Sequence, residues 1–70
     1  MIIKVQKDLA GNWVDRYINV LHIREFAEKP IINTDTGKLE SKTEVFVWDK
    51  SIIINESPEE FAERLERFGP

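Results

Sequence analysis

Two apolar runs separated by a pair of polar residues do more than anything else to limit what this chain can become. Residues 43–48 (Thr-Glu-Val-Phe-Val-Trp) and 51–55 (Ser-Ile-Ile-Ile-Asn) are dense in β-branched and aromatic side chains, which suit a pleated, half-buried surface. Asp49-Lys50 between them has the length of a tight hairpin turn. Such a turn pairs Trp48 with Ser51, Val47 with Ile52, Phe46 with Ile53 and Val45 with Ile54. The faces then separate. Val45, Val47, Ile52 and Ile54 make an all-aliphatic face, and Phe46, Trp48 and Ile53 make an aromatic one. A slip of one residue would mix them.

Directly after the hairpin comes a helix start. Ser57-Pro58-Glu59-Glu60 reads as an N-cap, a proline at the first helical position and a glutamate three residues beyond the cap. The Ser57 oxygen can accept one of the unpaired backbone N–H groups, and Glu60 can reach back to the Ser57 N–H. Glu60–Arg64 and Glu63–Arg67 are i,i+4 pairs in the favourable order. Phe61, Leu65 and Phe68 line one side with Ala62 beside them, and Gly69-Pro70 stops the run. The spacing predicts a helix over 58–68. Eleven residues do not hold a helix alone, so the stripe docks on the aliphatic face of the hairpin.

The first half carries weaker signals. Residues 2–7 alternate, with Ile3 and Val5 opposed to Lys4 and Gln6, and read as a strand. Asp8 to Asn12 contains Gly11-Asn12 and reads as a turn. Residues 13–20 alternate again, with Val14, Ile18 and Val20 on one side and Tyr17 with the polar residues. The stretch 20–28 suits either a helical face or a turn at 19–22 followed by a strand that Pro30 interrupts, and the second is preferred. Residues 33–38 form a polar loop leading back to 42–48. The expected fold is therefore α+β: a small antiparallel β-meander of four to five strands, residues 1–70 as a single domain, with one C-terminal amphipathic helix packed on one face.

Composition narrows the classes of function. The chain has 70 residues, no cysteine, one histidine and a net charge of −3. A chain of this length buries only about 60% of its unfolded surface, and without cysteine it has neither disulfides nor thiolate metal ligands to help. Good packing or self-association must compensate. The mild acidic balance argues against bulk nucleic-acid binding. No apolar run approaches a membrane span, and no basic leader or cleavage site is visible at Met1-Ile2-Ile3-Lys4. A cytoplasmic setting is the expectation.

Tyr17-Ile18-Asn19, then Ile23, then a variable hairpin, then an apolar strand running into Glu56-Ser57 and a Glu-rich helix resembles the small flagellar and swarming-motility accessory family called FlbD-like. The likeness covers about two-thirds of the chain. It departs in the extra residues from Asn33 to Lys42, and in Asp49-Lys50 where the family tends to have Asn-Gly. The resemblance implies a similar fold and a flagellar accessory role, with no catalytic residues to carry over.

Direct chemistry is sparse. His22 has the side chain closest to neutral titration, but a lone histidine near a turn reads as a surface residue. Ser57 reads as a cap rather than a nucleophile. Asp35, Glu40, Glu44 and Asp49 could meet as an acid/base pair, but read as solubilising charge on an exposed hairpin. Asn33-x-Asp35-x-Gly37 lacks the third ligand, the glycine offset and the bidentate glutamate of a calcium loop. No catalytic, cofactor-binding or metal residue is assigned, and an enzyme is not expected.

The aromatic side is the better clue. A soluble monomer rarely leaves such a patch bare, so Trp48, Phe46, Ile53 and Tyr17 are the candidate interaction residues. The leading expectation is a non-catalytic protein-interaction module, self-associating as a homo-oligomer, with an unidentified protein partner. The next is a single-stranded nucleic-acid binder that stacks bases on Trp13, Tyr17, Phe46 and Trp48 among Lys4, Arg16, Arg24, Lys42 and Lys50, although nucleic acid is disfavoured by the charge. A flagellar accessory protein is the third.

Overall fold

The computed structural model describes residues 1–67. Strands β1 (Ile2–Leu9), β2 (Asn12–Asn19), β3 (Ile23–Ile32), β4 (Leu39–Val47) and β5 (Lys50–Ile54) are followed by helix α1 (Pro58–Glu66). A single 3-10 turn, Val20–His22, links β2 to β3, as the preferred reading of 20–28 required. The strands form one antiparallel sheet in the order β2-β1-β5-β4-β3. The last three strands run as a meander, and the first hairpin joins it through β1. The fold is the expected α+β arrangement.

Local chemistry explains the turns. Ala10 and Gly11 both lie in the left-handed region (φ 53° and 86°), the backbone a two-residue hairpin turn demands. The Asp8 carboxylate accepts from the Gly11 N–H at 3.1 Å. The polar loop closes through Asn33, whose N–H donates to the Lys38 carbonyl and whose side-chain oxygen accepts from the Asp35 N–H. The Asn33 N–H thus points inward to β4, and strict alternation along β3 turns the nitrogen of Pro30 outward. Proline costs nothing there, because β3 is an edge and its outward donors have no ladder partner. It therefore sits inside β3, opposite Ser41, rather than interrupting it.

The turn of the second hairpin differs from expectation. Trp48 and Asp49 form it, not Asp49-Lys50, and Lys50 pairs with Val47. Phe46 consequently faces Ser51, and Val45 faces Ile52. The pairing has moved by two positions, which leaves every side chain on its expected face. Val45, Val47, Ile52 and Ile54 are all buried, together with Ile3, Val5 and Phe61. Trp48, however, leaves the aromatic face and becomes a turn residue.

Helix α1 covers the aliphatic side. Ser57 and Glu60 form the reciprocal cap: the Glu60 N–H donates to the Ser57 hydroxyl at 3.2 Å and the Ser57 N–H to the Glu60 carboxylate at 3.0 Å. Phe61 is fully buried and meets Phe26 edge-on, with ring centres 5.1 Å apart. Leu65 packs at the margin of the core. Phe68, Gly69 and Pro70, the expected end of the helix, lie outside the described residues. The anticipated Glu60–Arg64 pair gives way to other partners. Glu60 is held by the cap, while Arg64 bonds the Glu56 carboxylate and the Lys4 carbonyl. Those partners sit at the seam between β1 and β5, where the ladder is a single pair, Lys7 opposite Ile54, extended by Asn55 against Gln6. The arginine clamps the helix to a seam that backbone bonds alone hold weakly.

Candidate functional site

The four candidate interaction residues do not form one patch. Phe46 and Trp48 line a common shallow groove with Arg24, Lys50 and Ser51. Ile53 lies on the same bare side of the sheet, half-buried opposite Glu44. Tyr17 stands apart on outer strand β2, opposite Lys4 and 69% exposed.

Trp48 is the most unusual of them. It is 66% exposed, and its backbone φ is 47°, a region that bulky side chains rarely adopt. Two contacts fix it. The Arg24 guanidinium donates to its carbonyl at 2.6 Å, across the irregularity in β3 pairing between Ile23 and Glu25. The His22 ring lies 5.3 Å from its indole at a tilted angle. Leu21, 82% exposed, stands next to His22 in the same 3-10 turn. Together these residues make an apolar end, with Arg24 and Lys50 lining the groove beside it. His22 is thus a surface turn residue, with a contact to Trp48 that nothing in the sequence foretold.

A second feature lies at the other end of β4. The tip of the β1–β2 hairpin (Asp8, Gly11, Trp13) faces the tip of the β3–β4 hairpin (Ile31, Asn33, Asp35, Glu40) across a cavity of about 390 Å³. A half-buried Trp13 forms part of its wall. The Lys42 ammonium sits 5.7 Å from the Trp13 ring centre and 3.7 Å from the Glu40 carboxylate. Asn33 donates its side-chain N–H to the same carboxylate at 3.2 Å. Sequence reasoning missed this cleft, because residues 8–13 and 31–40 meet only once the first hairpin has docked.

Four of the remaining polar candidates have structural partners. Asn33 builds its own loop, Ser57 caps the helix, Glu44 accepts from the Ser51 hydroxyl at 2.7 Å, and Glu40 joins Asn33 and Lys42. Thr43, buried in β4, donates its hydroxyl to the Glu56 carbonyl at 2.8 Å. Among the described residues no three His, Asp or Glu side chains come together as a metal site, and no helix is long and apolar enough to cross a membrane. No family model, curated protein or solved structure matches this chain.

Proposed function

We propose that this protein is a non-catalytic module that associates with itself through the Trp48 end of the sheet. The observation that carries the reading is Trp48: a large indole, two-thirds exposed, in a turn position that a glycine would fill with less strain. Covering an indole of this size returns on the order of 3 kcal/mol, a large share of the stability of a domain this small.

The contrast with the sheet edges supports this choice of surface. Unpaired edge strands invite association, and both edges here are blunted. Pro30 removes an outward donor from β3, and on β2 the Arg16 guanidinium donates to the Asp15 carbonyl at 2.9 Å. At the Trp48 end the indole and Leu21 remain exposed.

Sedimentation velocity over a concentration series tests the proposal. The wild-type protein gains mass with concentration and Trp48→Ala stays monomeric. A wild-type monomer at every concentration overturns it. Single-stranded nucleic acid is the weaker reading, since stacking needs neighbouring aromatics and Tyr17 and Trp48 lie in different parts of the sheet. The flagellar role implied by the family resemblance would be a setting for the same self-association.

A further inference from the structure

The Trp48 end and the cleft lie beyond opposite ends of β4, and their chemistry is complementary. Nine residues of strand at about 3.4 Å each separate them, in a molecule 40 Å long. At one end Trp48 and Leu21 project, with Arg24 and Lys50 flanking the indole against a single acid, Asp49. At the other, Asp8, Asp35 and Glu40 line the cavity with no basic residue among its lining, and Trp13, Ile31 and Ile32 supply its apolar surface. The Lys42 ammonium beside Trp13 is already answered by Glu40.

We infer that the occupant of the cleft is the Trp48 end of a second copy of this chain. Indole and Leu21 enter against Trp13, Ile31 and Ile32, and Arg24 and Lys50 meet the carboxylates at the rim. The inference rests on the self-association proposed above and specifies its mode. The two surfaces differ, so the contact is head-to-tail. Such contacts propagate into rings or open chains rather than stopping at a two-fold dimer. The charge component makes the assembly weaken as salt rises.

Two variants, each lacking one surface, provide the test. Trp48→Ala removes the projecting end. Ile32→Lys with Asp35→Lys in one chain converts the cleft, at two exposed positions that leave the buried core untouched. The head-to-tail mode predicts a series of oligomers for the wild type, monomers for either variant alone, and a 1:1 heterodimer that grows no further when the two are mixed. If Trp48→Ala associates like the wild type, self-association through Trp48 and the cleft mode both fall. If Trp48→Ala is monomeric but the cleft variant still associates, the first survives and the cleft mode is overturned. If both are monomeric and the mixture stays so, the two surfaces do not pair with each other and the head-to-tail mode is overturned. Labelled Trp48→Ala chain titrated with unlabelled cleft variant gives an independent readout by NMR. Shifts centred on the Trp13 indole and Asp35 support the mode, and shifts confined to Leu21 and His22 refute it.

Discussion

The two sides of the sheet are made from the same strands and obey different rules. On the covered side, Val45, Ile54 and Phe61 are fully buried and every neighbour is fixed by packing. On the bare side, Phe46 and Ile53 are only half-buried, with Glu44 and Ser51 beside them. The covered side stabilises the fold, and the bare side with its two ends is free to carry function. The contrast teaches that an exposed aromatic here has to be judged by where its backbone puts it: Trp48, expected on the bare face, is instead lifted off it by the turn.

Removing the keystone of the covered side has the largest expected effect. Phe61→Ala costs about 3–5 kcal/mol, comparable to the stability of a small domain, so its circular-dichroism melt should lose the cooperative transition. Neighbouring residues sharpen the contrast. Ile54→Ala, fully buried, costs about 2–5 kcal/mol, whereas Ile53→Ala on the bare side costs about 1 kcal/mol; urea midpoints that fall together would erase the distinction.

At the join between hairpin and helix the effects are smaller. Ser57→Ala costs about 1 kcal/mol through the lost cap, read from chemical denaturation. The Ser57 backbone N–H, and then its hydroxyl, hold the Glu60 carboxyl below its ordinary value of 4.5, with Lys42 adding in the same direction. A lowered folded-state value means that the contribution is complete above pH 4.5 and is lost as pH falls through the folded-state pKa. Glu60→Gln should flatten that part of the acid stability profile. The smallest effect has the opposite sign. Trp48→Gly relieves the left-handed backbone at some cost in unfolded-chain entropy, a net gain of about 0.5 kcal/mol, while abolishing self-association. A thermal melt that falls by several degrees would show that the indole supports the fold rather than an interface.

Much of the covered side was legible from residue order. The Ser57–Glu60 cap, the alternation of Ile3 and Val5, and the aliphatic set of Val45, Val47, Ile52 and Ile54 are local patterns whose periods match helix and strand. The face assignment survived a misplaced turn because a strand repeats every two residues, and the pairing moved by two. Legibility failed wherever partners came from afar.

What the sequence determined by itself is therefore the elements, their faces and the capped helix, since propensity, periodicity and capping act within a few residues. Only the tertiary structure decided that β1 inserts beside β5, that Arg64 bonds Glu56 and Lys4 rather than Glu60, that Trp48 turns outward under Arg24 and His22, and that two hairpin tips enclose Trp13. Each of these depends on groups distant in sequence, whose meeting is set by how the whole apolar face is buried, and no local pattern encodes that.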